Sequence, residues 1–313
     1  MGTTYKVPDH HVLQFTSNVE LLLQQKQPVF AGKTDEKNYT GKAAQVVLQF
    51  GEAEFNNFDA GTAPGQWKGD TVWDDIEHHQ RWVHPAGYSL ALPVADGDLI
   101  RMIADPKSPY AEAMRAAFAR LSDDLVIYAA TNPAKTGTYD DMKDTELPAS
   151  QIIGHDFEFE PGDTEGEGLT LGKLIKAREM LTAAENDPSE ARYFVCTARQ
   201  LSNLLRTTEV TNADYNSVRT LVQGSVNSFM GFEFIRSERL LTTAADPTEG
   251  TPKIRHCFCY VKSGLHKGNW KSLVTNIDTR PDKNYTWQIW MAGHLGVTRT
   301  QEKKVVQVNC AEF

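Results

Sequence analysis

Asp105-Pro106-Lys107-Ser108-Pro109-Tyr110, followed by AEAMRAAFARLSDDLVIYAA (111–130), is the stretch on which the fold turns. Tyr110, Met114, Phe118, Leu121, Leu125 and Tyr128 recur at steps of four and three. At about 100° per residue all six fall within an arc of roughly 80°. Glu112, Arg115 and Asp123 take the opposite side. Asp105 or Ser108 can cap the start, and Pro106 and Pro109 suit only a first turn, where a missing N–H costs little. Asn132-Pro133 ends the run, because the residue before a proline is pushed out of the helical region. The spacing predicts a helix over 106–131, roughly 36 Å long and about twice the usual length. Its apolar stripe is too narrow for a helix buried all round, so it reads as a spine laid along one sheet.

Outward from that helix, the N-terminal side is uneven. Residues 1–40 are polar, with Val19-Glu20-Leu21-Leu22-Leu23 as a turn or two of helix, and read as an arm that buries little against itself. AAQVVLQF (43–50) is strand-like, and Tyr88, Leu90, Leu92 and Val94 alternate like a half-buried strand. Between them runs a stretch broken by Gly51, Gly61, Pro64, Gly65 and Gly69, which nonetheless carries Phe55, Phe58, Trp67, Trp73 and Ile76. About thirty residues without regular structure are uncommon inside a compact domain, and exposed aromatics do not suit a disordered loop. A projecting two-stranded ribbon that buries these side chains on another copy resolves the conflict. The expected subunit contacts are therefore Phe55, Phe58, Trp67, Trp73 and Ile76, with Arg81 and Trp82 just beyond.

On the C-terminal side, Thr131 to Gly166 is turn-rich and acidic, with one alternating run at Phe157-Glu158-Phe159. Leu169 to Glu185 reads as a second helix capped by Thr170. Thr197 caps another that runs to about Thr207. Strands are expected at 192–196, 232–235, 254–262, 285–291 and 304–310. Helices and strands mix without regular alternation, so the class is α+β.

Composition narrows the function. The chain has 313 residues, 40% of them hydrophobic, with no run near the 18 apolar residues of a membrane span. Met1-Gly2-Thr3-Thr4-Tyr5-Lys6 lacks the order of a signal peptide, which leads us to expect a soluble protein, intracellular where it is made. The formal net charge is −9, unevenly spread. Residues 1–165 hold 13 Lys/Arg against 26 Asp/Glu, whereas residues 251–313 hold 10 against 4. That split suits copies that meet acidic part to basic part, and no stripe of basic residues suggests nucleic-acid recognition.

The search for catalytic chemistry finds no active site. Gly168-Leu-Thr-Leu-Gly172-Lys173-Leu174 has three residues between its glycines where a phosphate loop needs four. Leu174 stands where a Ser or Thr must hold magnesium, so the stretch reads as a helix entry. His78 and His79 are adjacent and on extended chain point to opposite faces, which argues against a shared metal with His84. Asp74-Asp75, Asp123-Asp124 and Asp140-Asp141 read as solvated faces or turns. Cys196, Cys257, Cys259 and Cys310 are too few for a disulfide scaffold; they read as reduced, buried side chains. Cys257 and Cys259 share a strand face, but no second pair completes a metal site. No catalytic residue, cofactor or metal is expected.

Three stretches, in order, carry a resemblance. They are VADGDLIR (94–101) through Asp105-Pro-Lys-Ser-Pro-Tyr110 into the spine and Leu121-Ser-Asp-Asp-Leu125; TNADY (211–215) through Gly224 to FMGFEFIRSERL (229–240); and NIDTRPDK (276–283) with Gly296-Val-Thr-Arg299 and VVQVNC (305–310). With them the chain resembles a tailed-bacteriophage major capsid protein with the Hong Kong 97-type fold. That resemblance implies an N-terminal arm (1–42), an extended loop with flanking strands (43–94), a peripheral domain (95–166 plus 295–313) with its spine helix, and an axial domain (167–294). It further implies hexamers and pentamers closing into an icosahedral shell around double-stranded DNA, held without sequence-specific binding. Portal, scaffolding and decoration proteins are the implied partners. The implied place is the virion, assembled in the host bacterial cytoplasm. Some members crosslink Lys to Asn; Lys68 lies near the tip of the loop, but neither partner Asn nor assisting Glu can be matched, and no crosslink is expected. The long cleaved N-terminal scaffold segment of some members is not seen, so scaffolding is expected to be a separate protein. The alternatives are an encapsulin-type compartment shell and a soluble α+β hydrolase with a His78/His79/His84 site.

Overall fold

The computed structural model of the chain describes residues 25–50, 78–94, 107–158, 168–206, 228–244 and 253–312. In chain order its strands and α-helices are β1 (Asp35–Asn38), β2 (Ala44–Phe50), β3 (His78–Val83), β4 (Ala86–Val94) and α1 (Lys107–Thr131). There follow β5 (Ala134–Thr138), β6 (Asp141–Thr145), β7 (Ile152–Ile153), α2 (Leu171–Ala183), β8 (Arg192–Cys196) and α3 (Ala198–Arg206). The last third is strand: β9 (Ser228–Phe229), β10 (Phe232–Arg236), β11 (Thr242–Thr243), β12 (Lys253–Val261), β13 (Leu265–Arg280), β14 (Thr286–Arg299) and β15 (Val305–Glu312). The α+β class expected from the sequence holds, and the long helix spans 25 residues where a spine was expected.

The described residues pack into two units. One comprises 25–27, 87–120 and 273–293; the other comprises 28–50, 78–86, 121–272 and 294–312 where described. Val305–Glu312 pairs along its length with Lys253–Val261.

In the larger unit that pairing is the core of a seven-stranded sheet ordered β7-β15-β12-β8-β10-β9, with β11 on the side of β12. Cys257 to Val261 and Val305 to Val308 are buried at every residue, as expected of strands covered on both faces. Leu174, Ala177 and Leu181 of α2 and Leu201 and Leu204 of α3 belong to the same core. Thr170 caps α2 by accepting the Lys173 N–H at 3.3 Å, and Thr197 caps α3 by accepting the Gln200 N–H at 3.4 Å. Phe30 stacks on Phe258 with ring centroids 6.5 Å apart.

The C-terminal part of α1 enters this core with a face other than the expected stripe. Ser122, Asp123, Val126, Ile127 and Ala130 are buried, whereas Leu121 and Leu125 are half-buried and Tyr128 is 57% exposed. Asp123, expected on the solvated side, is 1% exposed. Its carboxylate accepts the backbone N–H of Val29 at 2.9 Å and of Phe30 at 3.4 Å. A carboxylate so hydrogen-bonded can be buried, and it turns the helix to face its donors. Asp124 likewise is not a free turn carboxylate, since it takes the Arg239 guanidinium in a two-point pair.

A second sheet in this unit runs β2-β3-β5-β6. β2 and β3 are antiparallel from Ala44↔Val83 to Phe50↔His78, with a register shift between Gln45 and Val47. β3 in turn pairs with β5 at Arg81↔Thr136 and Trp82↔Lys135. The β5–β6 hairpin lies where only turns were expected. Gly137 has φ +97 there, and a Cβ on it would sit 2.5 Å from the Asp141 carbonyl oxygen, so glycine alone fits.

The smaller unit has its own cluster. Met114 of α1 packs with Ile289 and Met291 of β14, and Leu92, Tyr110, Leu273 and Trp287 close around them. β13 was not expected at all, because Lys267, Lys271, Asp278 and Arg280 mask it as loop. Phe157-Glu158, expected as part of a short strand, forms none.

Candidate functional site

Interest centres on the mouth of residues 51–77, whose two ends are β2 and β3. Phe55, Phe58, Trp67, Trp73 and Ile76, like Lys68, Asp74 and Asp75, lie outside the described residues. Arg81 and Trp82 are described, and both are engaged within their own chain. Trp82 is half-buried; its Nε1–H donates to the Gly137 carbonyl at 2.7 Å, and its ring meets Tyr139 edge-on at 5.5 Å. Tyr139 is 52% exposed, so this pair presents aromatic surface at the β5–β6 turn.

Arg81 is 3% exposed. Its Nε donates to the Thr300 carbonyl at 3.0 Å and its Nη2 to Glu302 Oε1 at 2.7 Å. Close by lies Arg299, the last residue of β14, with no exposed surface. Its Nη1 donates to the carbonyls of Ala130 at 3.1 Å and Asn132 at 2.9 Å, at the end of α1. Cations are favoured there, where the last carbonyls of a helix lack intrahelical donors. Its Nη2 donates to the Thr145 carbonyl at 3.1 Å and lies 3.8 Å from the same Glu302 Oε1. Burial pulls the Arg299 guanidinium down to about 10, with Glu302 raising it and Arg81 lowering it further. It therefore stays charged at neutral pH. Among the described residues Glu302 is the one carboxylate paired with either guanidinium.

This network was missed in the sequence, although Arg299 and Glu302 stand three apart at the end of an apolar strand. An arginine closing a run such as AGHLGVT (292–298) is the signal that could have found it, since burial is then hard to avoid.

Among the described residues, the other candidates do not gather into a reacting centre. His84 is exposed, and His78 and His79 are placed by backbone only, in β3. No group of three or more His, Cys, Asp or Glu able to hold a metal occurs among the described residues. All four cysteines are reduced and buried. Burial pushes the Cys259 thiol up to about 12 and raises Cys196, while the hydrogen bond with Cys310, and then burial, raises Cys257, so these three are not ready nucleophiles. Lys173, at the mock phosphate loop, is wholly buried, and its ammonium donates to the carbonyls of Gly168 at 2.7 Å and His155 at 2.8 Å. It holds its own helix entry, as the spacing predicted. No described helix is long and apolar enough to cross a membrane.

A family model described as phage capsid protein matches residues 7–312. No curated protein matches the sequence. Among solved structures, the capsid of cyanophage P-SCSP1u is similar, with 17% identity, a TM-score of 0.71, and 97% of this chain and 94% of that chain covered. The capsid of Ralstonia phage GP4 is similar at 9% identity and TM-score 0.71, over 97% and 96% of the two chains. The capsid asymmetric unit of cyanophage Pam1 is similar at 13% identity and TM-score 0.67, over 99% of each.

Proposed function

The chain belongs to the phage capsid protein family and is a major capsid protein of a virion head shell with the Hong Kong 97-type fold; from that membership we propose how its parts build the shell. Residues 51–77 are an extended loop that crosses onto a neighbouring copy, where Phe55, Phe58, Trp67, Trp73 and Ile76 find the burial their own chain does not offer. The polar arm over 1–42 also lies against neighbours. The unit built on the first half of α1 and the 273–293 strands serves as the peripheral part, and the seven-stranded sheet serves as the axial part. Copies join as hexamers and pentamers around packaged double-stranded DNA, with separate portal and scaffolding proteins and with decoration proteins where present. Assembly takes place in the host bacterial cytoplasm.

The observation that carries the loop assignment is the pairing Phe50↔His78. The two strands leave and re-enter side by side, as the stem of a ribbon must. The same register supplies a clean test. Replacing residues 51–77 by Asn-Gly closes the hairpin with a two-residue turn and leaves β2 and β3 intact. The shortened subunit is expected to be soluble and folded by circular dichroism, and to form no closed particles by negative-stain microscopy. Closed particles from it would end the assignment.

A further inference from the structure

Every force on residues 51–77 reaches the body of the subunit through β2 and β3. β3 is joined to β5 at only two register positions, so its attachment depends heavily on side chains. Arg81 reaches the turn between β14 and β15, where it holds the Thr300 carbonyl and Glu302. The carboxylate it meets there also faces Arg299, which grips the end of α1 and the end of β6. One oxygen, Glu302 Oε1, thus lies between the ribbon stem and the clamp on the long helix.

We propose that Glu302 is a positioning residue for shell assembly: its carboxylate fixes β3 against the helix-end clamp and so sets the direction in which the ribbon leaves the subunit. This rests on the reading of 51–77 as the ribbon that joins copies. Both guanidiniums are almost fully desolvated, and Arg81 Nη1 and Arg299 Nε have no partner among the described residues. A neutral side chain at 302 leaves two buried cations facing each other with no counter-charge, a costly arrangement that β3 relieves by shifting. A ribbon set at a different angle still leaves a folded subunit, but it misses its seat on the next copy.

A plain structural role would be charge balance alone, and a double variant separates the two. Glu302→Gln removes the anion; Arg81→Met with Glu302→Gln restores the original balance of one net positive charge but leaves β3 untethered. Both are compared with the unmodified chain, under conditions where that chain closes shells, by melting temperature of the unassembled subunit and by yield of closed particles in sedimentation. Glu302→Gln is expected to lower the melting temperature and to cut the yield about tenfold or more. The double variant is expected to recover the melting temperature while the yield stays low. A double variant that recovers both, or Glu302→Gln shells at the unmodified yield, overturns the proposal. If Glu302→Gln does not fold, Glu302→Asp carries the test: it keeps the charge but is one methylene short of the 2.7 Å contact to Arg81. A reduced yield at near-normal melting temperature supports positioning, and an unchanged yield overturns it. Failure of the underlying ribbon reading shows separately, as closed shells from the Asn-Gly chain.

Discussion

His266 has no exposed surface, yet both its ring nitrogens are engaged: Nδ1 with Asp35 at 2.7 Å and Nε2 with the Tyr39 hydroxyl at 2.9 Å. These contacts hold β1 as a parallel edge strand on β13, in the register Asp35↔His266 to Asn38↔Asn269. Burial lowers the imidazole pKa; Asp35 pulls it back up, Lys37 pushes it down, and burial dominates. A base whose folded pKa lies below its unfolded one binds its proton more readily when unfolded. The stability it contributes is complete above the unfolded value of about 6.5 and is lost as pH falls from there through the folded value. The urea midpoint of the unassembled subunit is therefore expected to drop between about pH 7.5 and about pH 5.5, and His266→Asn is expected to flatten that drop. An equal slope in the variant would assign it elsewhere. Glu312, whose carboxyl is held low by Arg255, Thr197 and Gln200 against the opposing effect of burial, acts only at more acid pH and does not interfere. None of this was legible in the chain. His266 sits in a run with two lysines and an Asn, and its partner Asp35 lies 231 residues away. Separation along the chain, here 94 and 93 residues, likewise hid the role of Asp123, which looked like one member of a solvated pair until the Val29 and Phe30 amides were placed beside it.

At the scale of elements, what could be read was whatever local chemistry decides. The long helix, its proline start, the caps at Thr170 and Thr197 and the apolar strands at 192–196, 253–261 and 305–312 all follow from side chains near in sequence. The face that the C-terminal half of α1 buries was not readable, because periodicity ranks faces by greasiness and an anchored Asp123 outweighed Leu121, Leu125 and Tyr128. The β5–β6 hairpin was hidden by its composition, AKTGT and DMKDT, polar on both strands. Charges along Asp141, Lys143 and Asp144 suit β6 as the sheet's outer strand, where they deter pairing with another chain. Gly296 offers a test of how tightly elements meet. A Cβ there would stand 2.2 Å from the His84 carbonyl oxygen and 2.9 Å from Val83 Cγ2. The backbone of β14 passes against the end of β3 with no room for a methyl group, and the obstacle is a carbonyl that cannot rotate away. Gly296→Ala is expected to destabilise the subunit by about 1–3 kcal/mol, read as a lower urea midpoint with an unchanged m-value. A variant as stable as the parent would mean that β3 and β14 separate more easily than their contact implies, and would weaken the case for β3 as a firmly held stem.

For the whole molecule, the outline of function was visible in the sequence through the three ordered stretches that resemble a capsid protein, with aromatic residues in a glycine-broken stretch, a polar arm and an uneven charge beside them. The pairing of β15 with β12 was not visible, since a terminal strand can pair with any sheet its length allows. The charge split has its own consequence for assembly. The basic C-terminal stretch is only partly used inside the subunit: Arg255 pairs with Glu312, Arg280 with Asp282, and Arg299 shares Glu302. Lys262 and Lys303, by contrast, have no ion pair among those described and are exposed. If copies meet acidic part to basic part, as the charge split leads us to expect, such charges face the acidic excess of residues 1–165 through solvent, at separations that salt controls. The screening length falls from about 10 Å at 0.1 M to about 3 Å at 1 M. Aromatic burial, in contrast, is not weakened by salt. Assembly intermediates, held by few contacts, are therefore expected to dissociate as sodium chloride is raised over that range, while closed shells with every ribbon seated persist. Sedimentation velocity on capsomers and on shells, across the same salt series, checks both halves. Capsomers indifferent to salt would mean that the acidic and basic stretches do not meet across the subunit boundary, leaving burial of the ribbon side chains to drive association alone.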